Sequence, residues 1–286
     1  MGLPVCARLA ARGFDVVCTD LRAERRPAVV AVGARWLKGA AAVAASADVV
    51  LTILPGPAEV TSVAQELATA MVPGSLWIDM STASPRRPPP GIRALDAPVG
   101  GGPEAARAGR LITFVGGTDE DLRAARPILE AMADRIVHVG PPGSGHMVKL
   151  LANALWFEQA VAVSEALTLA RRAGLDVARV RGALAESAAA SRFLTDDAPA
   201  LLEGDDLTSF SLARCCEQLA SVLALGDELA VPLQLAEVVS EVHRRALAHY
   251  GEVDGELLGA RFVAARAGVS LSAGRDARRS RPGPGS

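Results

Sequence analysis

A chain of 286 residues that is 50% hydrophobic can bury one large core or two medium ones, and a formal net charge of −2 gives it no broad attraction for a polyanion. Aromatic residues make up only 3%, so stacking platforms for bases are scarce and nucleic acid is excluded as a partner. No clean apolar run reaches the roughly 18 residues of a membrane helix, and the N-terminus lacks a signal-peptide pattern. Cys6, Cys18, Cys215 and Cys216 show neither a metal-ligand spacing nor a disulfide framework, so the expectation is a cytoplasmic protein with no metal site and no membrane partner.

In chain order, residues 3–12 read as an amphipathic helix stopped by Gly13, and residues 15–19 as a strand ending at Asp20. Further strands are predicted at 48–53, 76–79, 92–95, 111–115 and 136–139, with helices between most of them, including 58–71 and 120–132. Short apolar strands separated by helices indicate a mostly parallel sheet covered on both faces. Between Ser84-Pro85 and Asp96 only ten residues remain. They include Pro88, Pro89 and Pro90, which cannot supply internal helix hydrogen bonds, so an extended link is expected there.

After Gly145 the strand pattern stops. Residues 147–173, 177–190, 212–229 and 233–249 read as helices, with Pro232 marking the boundary before the last. The fold class is therefore an α/β domain over residues 1–140 followed by an all-α domain over 141–271. The stretch 272–286 has too little apolar surface to repay its ordering entropy and is expected to be disordered.

At the junction lies Gly143-Ser144-Gly145-His146-Met147-Val148-Lys149, with Asn153 one helical turn further on. The glycines let the backbone turn tightly and approach a ligand, and Lys149 and Asn153, four apart, share one helix face. Such a pair sets a proton donor or acceptor beside a hydrogen-bonding amide. Asp20, Leu54-Pro55-Gly56 and Ser81-Thr82-Ala83-Ser84-Pro85 follow predicted strands, at the carboxyl ends where such sheets bind ligands.

Together with Asp96-Ala97-Pro98-Val99-Gly100-Gly101-Gly102-Pro103-Glu104, these segments resemble the 3-hydroxyisobutyrate dehydrogenase, or β-hydroxyacid dehydrogenase, family of the 6-phosphogluconate dehydrogenase-like superfamily. The resemblance covers residues 1 to about 258 and implies a Rossmann-like domain for NAD or NADP. It also implies a helical domain through which family members commonly dimerise or form a higher homo-oligomer. Met1-Gly2 matches the end of the family's Gly-x-Gly-x-Met-Gly fingerprint, which lacks its first strand and first two glycines here. A central strand's side chains contribute roughly 1.5–3 kcal/mol each. The expectation is that the natural chain begins upstream of Met1, the alternative being a repurposed homologue with low nucleotide affinity.

The resemblance places Gly2, Leu3, Asp20, Leu54, Pro55 and Thr82 at the cofactor. Asp20 would accept the ribose hydroxyls of NAD, giving that cofactor a slight preference, while Arg22, Arg25 and Arg26 could accommodate the phosphate of NADP. Lys149 and Asn153 become the catalytic pair, and Gly100, Gly101, Gly102, His146 and Glu217 belong to the substrate side. Two departures stand out: Gly100 replaces a serine that holds the substrate carboxylate, and Glu217-Gln218 replaces Lys-Asp. The activity implied is hydride transfer between the nicotinamide and a small hydroxy acid or related carbonyl compound. An imine reductase is one alternative, and a non-catalytic dimeric scaffold or sensor is the other.

Overall fold

The computed structural model describes residues 1–272 and divides the chain into two units, Met1–Leu150 and the residues from Leu151 onward. In the first unit the chain enters through helix α1 (Gly2–Ala11), which buries Val5 and Leu9 and is followed by Gly13 at φ +87°. Strand β1 (Val17–Cys18), helix α2 (Arg26–Ala31) and strand β2 (Arg35–Trp36) come next, with β1 and β2 paired in parallel. Then follow α3 (Ala40–Ala44), β3 (Val49–Thr52), α4 (Pro57–Ala70), β4 (Leu76–Asp79), β5 (Arg93–Asp96) and β6 (Val99–Gly100). The unit continues with α5 (Gly102–Ala108), β7 (Leu111–Gly116), α6 (Asp119–Met132) and β8 (Ala133–Gly140).

Strands β3 to β8 form a six-stranded sheet in the order β3-β4-β5-β7-β6, with β8 also pairing β7. Strands β3, β4 and β5 are mutually parallel, as are β7 and β8, whereas β7 runs antiparallel to β5 and β6. Strand β4 shows why the sheet needs cover on both sides, because alternate residues point to opposite faces. Leu76 and Ile78 join Val5 and Leu9 of α1 and Leu122 and Leu129 of α6, while Trp77 joins Val60, Ala64 and Leu67 of α4. Each such buried side chain stabilises the unit by roughly 1.5–3 kcal/mol.

The Rossmann-like α/β class holds, but the sheet differs from a single continuous one. Strands β1 and β2 form a separate two-stranded sheet, because among the described residues no strand pairs with both β1 and β3. Elements α2, β2, α3, β6 and α5 were not anticipated. Two-residue strands and helices of five to seven residues are too short to show a period. The proline-rich link is as expected, since no helix or strand forms between Asp79 and Arg93.

The second unit is helical. Helix α7 (Ser144–Arg172) contains the boundary between the units, and α8 (Val177–Ala185) starts from Asp176, whose side chain accepts the Arg179 N–H. One π-helical turn (Phe193–Asp197) leads into α9 (Ala198–Glu203), followed by α10 (Leu212–Glu228), α11 (Gln234–Tyr250) and α12 (Leu258–Arg266). The helix predicted over 177–190 ends at Ala185, and α9 and α12 were missed because their burial comes from tertiary packing rather than a long periodic pattern. Ser272, the first residue of the predicted tail, is buried beside Leu271, and residues 273–286 lie outside the described part. Among the described residues no helix is long and apolar enough to cross a membrane.

His243 on α11 is fully buried, its Nδ1 is 2.9 Å from the Val239 carbonyl, and its ring packs edge-on to Phe157. Gly259 of α12 packs so close to this ring that a Cβ there would strike the imidazole. Burial pushes the imidazole pKa down from its ordinary value, so the folded chain keeps His243 neutral where the unfolded chain protonates it. The unfolded state then takes up the proton first, and stability is lost as the pH falls below about 6.5, by up to about 1.4 kcal/mol per unit. Thermal melts at about pH 7.5 and about pH 5.5 should show this drop, and His243→Met should reduce it. An equal drop in the variant would assign the acid sensitivity elsewhere.

Candidate active site

The first turn of α7 is held by a carboxylate from the sheet. Asp96, the last residue of β5, is buried; its Oδ1 accepts the Gly143 N–H at 2.6 Å and its Oδ2 accepts the His146 N–H at 2.8 Å. Helix N-termini carry N–H groups without intrahelical partners and a partial positive charge, so an anion here satisfies two donors at once. Charge-assisted hydrogen bonds of this kind contribute roughly 1.5–3 kcal/mol each.

The glycines make this approach possible. Gly143 has φ +96°, and a Cβ on Gly145 would run into the backbone oxygens of Phe114 and Asp96. Gly116 on β7 is equally confined, by the Asp96 carboxylate and the Gly145 N–H. Gly145 thus lets a helix dock on strand ends, against the backbone of Phe114 and Asp96.

A second buried carboxylate, Asp79 at the end of β4, organises the neighbouring loops. Its Oδ1 accepts from Thr52 Oγ1 at 2.8 Å and from the Ser81 N–H at 3.1 Å, while Trp77 Nε1 donates to Thr52 Oγ1 at 2.9 Å. Ser81 Oγ in turn accepts the Leu54 N–H at 2.9 Å, which joins the loop bearing Leu54 and Pro55 to the loop bearing Thr82. His146 is 1% exposed, with Nε2 3.4 Å from Asp79 Oδ2. Burial pushes the Asp79 carboxyl up, but the His146 ring and the Ser81 and Thr52 donors outweigh it and hold the pKa below the usual carboxylate range. Neither Asp79 nor Asp96 was singled out as a site residue in the sequence; strand-final carboxylates are common, and only the fold shows what they hold.

Lys149 follows His146 by three residues and is half-buried, and Asn153, also half-buried, lies one turn beyond it on α7. Asn153 Nδ2 donates to Gln218 Oε1 on α10 at 2.6 Å. Glu217 instead lies on the exposed side of α10, where it pairs with Arg214 at 2.6 Å. Gln218 is thus the residue of this pair that meets the α7 amide, although the charge change at Glu217 is the louder signal in the sequence.

The remaining sequence-derived positions are dispersed over the first unit. Gly2 and Leu3 open α1, and a Cβ on Gly2 would meet only open space. Asp20, after β1, accepts the Arg22 N–H at 2.9 Å and the Arg22 guanidinium at 3.2 Å, and these hydrogen bonds hold its carboxyl below the usual range. Gly100 lies opposite Ile112 in the β6–β7 pair, and a Cβ there would come within 2.9 Å of the Ile112 Cγ2 methyl. Gly101 and Gly102 turn the chain into α5 at φ +109° and +69°. A serine at this position, as the resemblance implies, would therefore meet a neighbour that fills the space.

Residues 1–140 match the family model described as the NAD binding domain of 6-phosphogluconate dehydrogenase, and residues 143–258 match the NAD-binding domain of NADP-dependent 3-hydroxyisobutyrate dehydrogenase. A probable 3-hydroxyisobutyrate dehydrogenase of Mycobacterium tuberculosis is 36% identical over 183 residues, 61% of this chain; the match spans 62% of that relative's length. An oxidoreductase of Synechocystis is 32% identical over 83% of this chain and 87% of its own. The solved structure of the Mycobacterium tuberculosis 3-hydroxyisobutyrate dehydrogenase with L-serine superposes with a TM-score of 0.85 at 27% identity, covering 93% of this chain and 95% of that one. The chain belongs to the 3-hydroxyisobutyrate dehydrogenase family, within the 6-phosphogluconate dehydrogenase-like group.

Proposed function

We propose that the protein is an NAD(P)-dependent oxidoreductase that transfers hydride between the nicotinamide cofactor and a small hydroxy acid or related carbonyl compound. The observation that carries this reading is the anchored α7 turn, which fixes a lysine one turn before an amide that is itself held by Gln218. The first unit offers donors and acceptors that fit a dinucleotide. The Asp20 carboxylate, ionised at neutral pH, suits ribose hydroxyls, with Arg22 at hand for a ribose phosphate. The open backbone at Gly2 and Leu3 begins a ten-residue helix, and Leu54, Pro55 and Thr82 sit on loops locked together through Ser81.

When bound, the nicotinamide supplies the hydride acceptor or donor. Lys149 removes the proton from the substrate hydroxyl in oxidation and returns it to the carbonyl oxygen in reduction. Asn153, with its amide fixed by Gln218, orients the group that Lys149 serves. Gly100, Gly101 and Gly102 contact the substrate through backbone alone. The chain associates as a homodimer through α7, whose Leu151, Leu155 and Leu169 are 47%, 56% and 73% exposed. Its cysteines are free, in keeping with a cytoplasmic location.

Titration with NAD(H) and NADP(H), followed by turnover on 3-hydroxyisobutyrate, L-serine and a cyclic imine, tests this reading. Hydroxy-acid turnover supports it, imine reduction alone would replace it, and a folded protein that binds neither cofactor would leave a scaffold. Lys149→Ala should keep cofactor affinity within about 2-fold while kcat/KM falls about 10²- to 10⁴-fold. Gly100→Ser alone should be hindered by Ile112. Combined with Ile112→Ala, which removes the Cγ2 methyl, it should lower KM for a carboxylate substrate about 10-fold, the effect of one recovered hydrogen bond to a charged group. An unchanged KM in the double variant would place the carboxylate elsewhere.

A further inference from the structure

His146 and Asp79 form a buried pair whose contact with each other plays no part in the proposed function. Their side chains are 2% and 4% exposed and approach to 3.4 Å, and neither Asp79 Oδ2 nor either ring nitrogen of His146 has a hydrogen-bond partner in the structure. An unsatisfied buried polar atom is costly, so a pair of this kind calls for a reason. What this pair connects is specific. Asp79 fastens the ends of β3 and β4 through Thr52, Trp77 and Ser81, and His146 is part of the α7 turn whose next helical neighbour is Lys149.

Asp96 and Asp79 divide the work at this turn. Asp96 grips the backbone of α7 at Gly143 and His146, which fixes where the helix starts. Both of those bonds are made to backbone N–H groups, and neither engages a side chain of α7. The ring of His146, set against a carboxylate on a different strand, fixes the rotation of the helix and hence the direction in which Lys149 points, because residues three apart lie on neighbouring parts of one helix face.

We propose that Asp79 and His146 are a positioning pair for Lys149, the close approach of the His146 ring to Asp79 Oδ2 setting the rotation of the first turn of α7. This assigns His146 an inward role in place of a substrate contact, and it rests on the reading of Lys149 as the proton-transfer group. The carboxylate form of Asp79 that the pair requires is the one its surroundings favour.

The test compares Asp79→Asn, His146→Leu and His146→Gln in the full chain, using kcat, KM and hydrogen exchange of the amides over residues 143–150. Glutamine keeps an N–H that can reach Asp79, so it serves as the conservative rescue. His146→Leu and Asp79→Asn should each lower kcat at least about 10-fold with KM for cofactor and substrate within about 2-fold, as expected for a misaimed group. His146→Gln should recover most of the rate, and the Asp79→Asn/His146→Leu double variant should be no slower than the worse single variant. Exchange over residues 143–150 should rise in the two impaired variants and stay at the native level in His146→Gln.

A wild-type kcat in either impaired variant, a loss confined to KM, or a glutamine variant as slow as leucine would overturn the assignment. Should His146→Leu fail to fold, the near-isosteric Asp79→Asn decides by the same criteria. If the native protein turns over no hydroxy acid, the functional reading fails, while the exchange comparison still decides whether the pair holds the helix.

Discussion

Everything proposed for this protein depends on the two hydrogen bonds by which the Asp96 carboxylate holds the N–H groups of Gly143 and His146. A long helix such as α7 has no intrinsic reason to begin at one residue rather than its neighbour. A buried anion at its N-terminus supplies one, because it satisfies donors the helix cannot satisfy itself and meets the positive end of the helix dipole. Moving the start by one residue would turn Lys149 by roughly 100° about the helix axis. The glycines at 116, 143 and 145 are the steric condition for this contact, and any side chain at 116 or 145 would push the helix off the strand ends.

The same principle orders the loops beside it. Asp79 does for side chains and loop backbone what Asp96 does for the helix: each takes up hydrogen-bond donors that would otherwise be buried without partners. Two neighbouring parallel strands, β4 and β5, end in these two carboxylates, paired in register as Asp79 and Asp96. That register sets the two side chains next to each other, each with its own donors. The proline-rich link between the two strands forms no helix, so the pair stands at the ends of adjacent strands joined by a short extended connection.

The main elements were legible in the sequence because apolar alternation and helical periodicity are local. Strands β3, β4 and β7 and helices α4, α6, α10 and α11 fall close to their predicted positions. What could not be read locally was pairing: the separation of β1 and β2 from the larger sheet, and the antiparallel contact of β7 with β5 and β6, are settled by partners distant in sequence. The motif from Gly143 to Asn153 was visible, but its support was not. Asp79, Asp96 and Gln218 lie 67, 50 and 72 residues from His146; Asp96 and Gln218 fall in segments that carry the resemblance, but their local sequence does not show what they hold. Glu217 drew attention because its charge differs from the family pattern, and the structure gives the inward contact to the uncharged residue beside it.

Ile112 fills the space that a side chain on Gly100 would enter. The central claim is the carboxylate anchor, and it can be examined without any substrate. In an amide-resolved NMR spectrum of the native protein, the Gly143 and His146 N–H protons should be shifted downfield and exchange with solvent as slowly as those of the sheet core, and Asp96→Ala should abolish both properties. Exchange at these two amides as fast as in the exposed loops of the native protein would contradict the account.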